Sequence, residues 1–504
     1  MSFKYTDEQE LIFKTVAEAV TAAKQEKPAP TLIKINAVAG SSKSTSLIEA
    51  IRRVHAIDKT VKSRYLVFNA ALAEEARTAY GHTAITSTLH KLAYGHTVRQ
   101  YKLNPSIAQF LTWQDLPATI KPPFGTTNDV LAVVEDFCTS GSLDIIEYIK
   151  SAPDTLPETF RNPRVVTAAV KVIDAMATGK MRCTHSFYLK LFHILLVNGE
   201  IDLPPMDVLV IDECQDLTQI TLDVVDRYPA KLKILVGDPL QAIYGWMGCV
   251  SAFEYYEGQG ITLHLSKSFR CNTHIAGAIQ HFCRTTFDQT VVFEGVDYQG
   301  TPQMNTHAYL ARTNASLIEK MIELNATNTP YRLATKQKAK QMFELPLAII
   351  YAKPEGKQHK PELKIIQEAV NKWGKTDRKK SKLEFIAEYT EEHPTIAAAI
   401  SIIGRYKSDT IIETATIAES HIRSNSNYIL SSIHTSKGLT YDEVTMAPDV
   451  NKAISKIMDQ LTHPSYTLTK EDKAELYLYY VSASRARHRI NGAHYLTKYI
   501  QPIN

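Results

Sequence analysis

Apolar positions in this chain come in two patterns. Leu32 to Ile35, Arg64 to Phe68, Val208 to Ile211 and Leu232 to Val236 are short, nearly unbroken apolar runs, as expected for strands buried on both faces of a parallel sheet. Between them, apolar residues recur three and four apart, which predicts amphipathic helices from Thr6 through about Lys24, through about Val54 after the first strand, from Leu72 to Tyr80 and over 184–197. Ile85 to His90 predicts a short strand with polar residues at its end, and Leu263 to Arg270 a strand ending in an aromatic and a cation. Alternating strands and helices predict an α/β fold.

Residues 92–180 lack strand alternation and contain Pro105, Pro117, Pro122, Pro123, Pro153 and Pro157; a helical insertion with long loops is expected. A second α/β unit is expected from about Ile275. Ala308 to Asn314 reads as strand, turn and helix start, Tyr428 to His434 and Val444 to Ala447 as strands, and Lys473 to about Ala486 as a helix with Arg485 near its end. The segment 331–425 interrupts this unit.

The first strand runs into Ala37-Val-Ala-Gly-Ser-Ser-Lys-Ser-Thr45 and then a helix. Strand, small-residue loop, Lys-Ser and helix make a phosphate loop, in which backbone N–H groups and the helix N-terminus cradle phosphates. Lys43 reaches the outer phosphates and the Ser44 hydroxyl ligates Mg²⁺. Ala37 and Ser42 stand where the pattern has glycine. A positive φ at Ser42 would add about 1–3 kcal/mol of strain. Next to a helix start, however, the expectation is a negative φ and little strain.

The strand Val208 to Ile211 ends in Asp212 and Glu213. Asp212 suits Mg²⁺ held through water, and Glu213 suits proton removal from an attacking water. An acidic strand end or helix cap is the plainer alternative, and the phosphate loop decides between them. The 169 positions from Lys43 to Asp212 require an inserted domain. Gln9 completes a capping box with Thr6, or reads adenine through its amide. Gln241 follows a strand and suits sensing of a terminal phosphate. Tyr244 and Trp246 suit base stacking or an ordinary core.

Composition narrows the class. With 504 residues, two to four domains are expected. Apolar residues at 44% and charged residues at 22% indicate a globular, soluble chain, and no apolar run approaches a membrane span. The start lacks a signal-peptide core. Six scattered cysteines without a CxxC pair suggest free thiols in a reducing cytosol. Net charge is +4, but residues 331–390 hold 14 Lys/Arg against 7 Asp/Glu. That local basic module suits phosphates, or is a solvated helix face.

Taken in order, these motifs resemble superfamily 1 helicases of the UvrD/Rep/PcrA group, closest to the F-box DNA helicase type and its prokaryotic and viral relatives. The resemblance runs from Gln9 to Arg487. It rests on Asn36 to Gly40, Val67 to Asn69 with Glu75 and Ala76, Thr184-His185 with Tyr188 to Leu191, and Ser432 to Gly438. It implies two RecA-like domains with ATP in the cleft: 1–91 with 181–274, and 275–330 with 426–504. The insertions are then 92–180 and 331–425. On the same resemblance, Ala39, Gly40, Ser41, Ser42, Lys43, Ser44, Thr45 and Gly438 hold nucleotide, with Gln9 on adenine and Phe269 stacked over it. Ser44 and Asp212 hold Mg²⁺, Glu213 is the general base, Gln241 contacts the γ-phosphate, and Arg270 and Arg485 are arginine fingers. Phe68, Thr88, His90, Tyr244, Trp246, Arg312 and His434 line the path of single-stranded DNA. Met247, Thr440, Tyr477 and Ala71 depart from the family's common residues.

The resemblance implies a monomeric ATP-dependent translocase and helicase moving 3′ to 5′, in the cytoplasm of a bacterial or phage-infected cell, acting in replication, recombination or repair. Two other readings stay open. One is a strippase that displaces proteins from single-stranded DNA. The other is a nucleotide-sensing subunit of a nuclease or defence complex.

Overall fold

The computed structural model describes residues 4–497 apart from 68–69, 122–125, 152–156, 246–247, 288–289, 298–302, 336–337, 357–360, 377–378 and 464. The chain forms two compact units that divide after Ser266.

In the first unit the strands are β1 Leu32–Ala37, β2 Ser63–Val67, β3 Ile85–Thr88, β4 Asn104–Ala108, β5 Arg182–Thr184, β6 Met206–Ile211, β7 Leu217–Thr218, β8 Ala230–Gly237, β9 Cys249–Val250 and β10 Ile261–Leu265. Six of them make one sheet in the order β10-β1-β8-β6-β2-β3, with every neighbouring pair parallel. Ile33 lies beside Ile234, and Val208 beside Leu232.

Alternation along these strands feeds two cores. Tyr65, Val67, Val208 and Val210 point into a cluster with Phe13, Val16, Leu47 and Ile51 of the helices Asp7–Lys24 and Lys43–Ile57. Leu66, Leu209, Ile211 and Leu235 point the other way, against Val133, Phe137, Val172 and Phe192. Burial on both faces is why the strands read as continuous apolar runs. The helices of 92–180 therefore share their core with the sheet. The segment also contains β4, paired in parallel with β5, where helices and long loops were expected. β3 ends at Thr88, whose side chain accepts from the Lys91 amide and starts the helix Leu89–Tyr94. His90 is therefore helical and not at a strand end.

The second unit has β11 His307–Ala311, β12 Arg332–Ala334, β13 Tyr428–Ser432, β14 Tyr441–Met446 and β15 Ala486–Asn491, all parallel in the order β12-β13-β11-β14-β15. The fold class is thus α/β with a parallel sheet in each unit. Residues 267–272, placed with the first domain by sequence, are tied into the second. Ser268 N donates to Glu294 O at 2.7 Å and Asn272 N to Arg487 O at 3.0 Å. Arg485 lies in the turn after the helix Lys470–Ala483, and Ala486 already begins β15.

The expected insertion at 331 begins inside the sheet, with Leu333 paired to Leu430. Beyond it the segment is helical, and Ile349, Ile366, Val370, Ile386 and Ile396 form a core of their own. Part of its positive charge is used internally. Lys380 pairs with Glu388 at 2.7 Å, and Lys382 donates to the carbonyls of Ile350 and Ala352 at 3.1 Å. All six cysteines are free. Among the described residues no helix is long and apolar enough to cross a membrane.

Candidate functional site

In the first unit, the loop after β1 and the end of β6 meet. Ser44 Oγ donates to Asp212 Oδ2 at 2.9 Å, Tyr65 donates a short hydrogen bond to the same oxygen, and Glu213 N donates to Asp212 Oδ1 at 2.8 Å. Lys43 Nζ lies 3.7 Å from Glu213 Oε1. Asp212 is 5% exposed. Burial first, and then Glu213, raise its pKa, while Lys43 and the Tyr65 and Ser44 hydrogen bonds oppose the rise. Two adjacent carboxylates against one lysine leave the pocket short of positive charge, and the hydroxyl and carboxylate are hard oxygen donors. The donor set therefore fits Mg²⁺.

Two residues here are strained. Ser42 has φ 61° and Glu213 φ 54°, both left-handed. The expected negative φ at Ser42 is overturned. Gly40 and Ser42 both turn left-handed so that the chain enters the helix at Lys43, and Ser42 caps nothing with its side chain. Ser46 compensates in part, its hydroxyl and amide donating to the Ser42 carbonyl at 3.0 and 2.9 Å.

Gln9 is fully buried. Its Oε1 accepts from Thr6 N at 3.0 Å, completing the capping box, and its Nε2 donates to Ser46 Oγ at 2.9 Å. Both ends of its amide are thus engaged, and Gln9 ties the first helix to the phosphate-loop helix. Arg53 strengthens that contact, pairing with Glu10 and Glu49 and lying 4.3 Å over the Phe13 ring.

A second set of bonds leaves Glu213. Gln215 Nε2 donates to Glu213 Oε2 at 2.5 Å, Asp238 N donates to Gln215 Oε1 at 3.1 Å, and Gln241 Nε2 donates to Asp238 Oδ2 at 2.6 Å. All but Glu213 are buried. Gly237 permits this approach, because a Cβ there would lie 2.3 Å from Gln215 Oε1. Sequence reasoning missed Gln215 and Tyr65. Gln215 sits in the acidic motif and could have been singled out. Tyr65 is one more apolar ring in a buried strand.

The residues expected on the nucleic-acid path fare differently. Phe68 and Trp246 lie outside the described residues. Thr88 is buried and serves as a helix cap. His90 is half-buried beside the edges of His185 and Tyr188, and burial pushes its pKa down to about 4. Tyr244 is half-buried, with its hydroxyl pKa pushed up to about 12 by burial and then by Asp216.

In the second unit, Arg270 NH1 donates to Ser484 O at 3.1 Å. Phe269 precedes it, half-buried. Arg485 is fully buried, and its guanidinium donates to Val481 O, Leu439 O and Ser484 Oγ at 3.0, 3.3 and 2.9 Å. Arg485 thus holds the loop carrying Gly438, whose φ is 86°. His434 lies in the short helix Ile433–Ser436, which Ser432 caps. Arg312 makes a two-pronged ion pair with Glu475, its Nε 2.6 Å from Oε2.

A family profile described as an AAA domain matches residues 17–246. The chicken F-box DNA helicase 1 is 23% identical over 493 residues, covering 90% of this chain and 46% of the relative. The fission yeast F-box DNA helicase protein 1 is 23% identical over 507 residues, covering 91% and 55%. The chain spans about half the length of these curated relatives. By its matched domain and its relatives, the chain is similar to the F-box DNA helicases over about nine tenths of its length.

Proposed function

We propose that the chain hydrolyses ATP and uses the energy to move along single-stranded DNA and separate duplex, 3′ to 5′ by family resemblance. The observation that carries this reading is the cluster of Lys43, Ser44, Asp212 and Glu213, joined through Gln215 and Asp238 to Gln241. Lys43 and the loop amides bind and orient the phosphates. Ser44 and Asp212 hold Mg²⁺, which supplies charge neutralisation at the phosphates. Glu213 accepts the proton of the attacking water, and Gln241 reports the terminal phosphate. Catalysis of this kind is mostly positioning and charge. Arg270 and Arg485 keep their role as arginine fingers in this reading. Arg485 must first exchange its backbone acceptors.

DNA-stimulated ATPase and strand displacement by the purified chain test the proposal. Glu213→Gln should abolish both, and near-normal turnover in that variant would refute the assignment. Displacement of a bound protein without strand separation would favour the strippase. The strain at Ser42 and the burial of Arg485 favour the nucleotide sensor as a second reading, one that predicts binding without turnover.

A further inference from the structure

The segment 331–425 carries a surface that the nucleotide chemistry does not use. In the helix Glu344–Tyr351 every position after Glu344 is apolar. One face serves the segment's own core: Pro346 and Ile349 are buried, and Ile349 packs in the cluster with Ile366, Ile386 and Ile396. On the other face Glu344, Leu347, Ala348 and Tyr351 follow one another at three- and four-residue spacing and line a groove of about 630 Å³. Leu363 of the helix Pro361–Trp373 lines it too. Tyr351, at the end of the stripe, is 59% exposed. A helix that is apolar all round is ordinarily buried all round, and the described residues cover only one face of this one.

Charge brackets that apolar stripe. Lys338 and Lys340 precede the helix and Lys353 follows it; all three line the groove and are exposed. Among the described residues no carboxylate pairs with their ammonium groups, and Glu344 is the one carboxylate on the lining. Lys382, bonded to the carbonyls of Ile350 and Ala352, adds positive charge behind the end that carries Lys353. A nucleic-acid backbone would use the lysines and leave the apolar stripe wet. A peptide with carboxylates on both sides of an apolar side chain uses both. Eight helical residues span about 12 Å, which about four extended residues cover. We propose that this groove binds an acidic peptide segment of a partner protein. Its apolar side chain sits over Leu347 and Tyr351, and its carboxylates reach Lys338 and Lys340 at one end and Lys353 at the other.

The test uses the full chain and a short fluorescein-labelled peptide with aspartates on both sides of a single phenylalanine, with affinity read by anisotropy. The same peptide with serine in place of phenylalanine should bind roughly tenfold more weakly. Lys340→Glu with Lys353→Glu should weaken binding of the phenylalanine peptide by roughly tenfold, and Tyr351→Ser by a similar factor, with DNA-stimulated ATPase unchanged in both. Should Tyr351→Ser lower the melting temperature, Lys340→Gln with Lys353→Gln carries the test, since both side chains are exposed. A wild type that binds no peptide would overturn the proposal. Equal affinity for the serine peptide would overturn it as well, leaving only a basic surface. Displacement of the peptide by a duplex oligonucleotide, with the same variants weakening the duplex, would make the groove a nucleic-acid surface instead. A shift of Tyr351→Ser to a smaller species in sedimentation would identify a second copy of the chain as the occupant. Peptide binding by a wild type without ATPase would uphold this inference and refute the motor reading alone.

Discussion

The Ser44 hydroxyl donates to the Asp212 carboxylate across 2.9 Å, although 168 positions separate the two residues. The contact joins the phosphate loop to the acidic strand end and concentrates negative charge where burial disfavours it. Asp212→Asn keeps an oxygen for Ser44 and Tyr65 but removes the charge. It should lower ATPase by about 100-fold or more, the several kcal/mol that a metal contributes at a phosphoryl oxygen. Without nucleotide its melting temperature should stay close to wild type, because relief of a buried charge offsets the acceptor lost to the Glu213 amide. A large fall in melting temperature would mean that the carboxylate is mainly a structural tie.

Ser42→Gly removes a left-handed serine that makes no cap. Stability should rise by about 1 kcal/mol, the ordinary cost of that conformation for an L-residue. Turnover should change by less than about tenfold, or 1.4 kcal/mol. A silent wild type revived by glycine would instead identify a sensor held off by its own loop.

Gln215→Leu cuts the link between Glu213 and Asp238 and strands the Asp238 amide. The loss should cost about 1–3 kcal/mol of stability, visible in a urea titration. DNA stimulation of ATPase should fall with it if the chain of bonds carries the coupling. Wild-type values of both would dismiss Gln215 as a bystander.

Much of this architecture could be read from the chain, for identifiable reasons. The phosphate loop and acidic strand end depend on local spacing, and the buried strands on apolar runs. The remainder depended on partners distant in sequence. β4 contains Pro105 and is a strand only because β5 lies beside it. Thr88 looks like the polar end of a strand until its hydroxyl is seen accepting from Lys91. Arg312 looks like a cation awaiting phosphate, and its partner Glu475 lies 163 positions away.

That pairing yields a test of the DNA path. If Arg312 contacts phosphate, it must give up Glu475 to do so. Glu475→Gln should therefore tighten single-strand binding, and the slope of log affinity against log salt should steepen by about one. An unchanged slope would show that Arg312 serves only to join its two elements.

Lys190 provides a pH test. Burial pushes its ammonium from 10.5 down to about 8, with Cys138 and Asp223 opposing. Between those values the folded chain has released a proton that the unfolded chain still holds, so stability rises with pH across the window. The stabilising contribution is complete above 10.5 and is lost as pH falls through about 8. Relative to Lys190→Met, the wild type should gain melting temperature from pH 8 to 10. A constant difference would place the ammonium in contact with water.

Residues 92–180 and 331–425 differ in what they can survive. Val133, Phe137 and Val172 complete the same core as β2, β6 and β8, so removing 92–180 would leave one face of the sheet bare. The helices around Ile349, Ile366, Ile386 and Ile396 close on themselves. Over evolutionary time the first segment can change only in step with the sheet beneath it. The second carries a core of its own, tied to the rest of its unit by contacts such as Arg405 with Glu319 at 2.5 Å, and has more room to change.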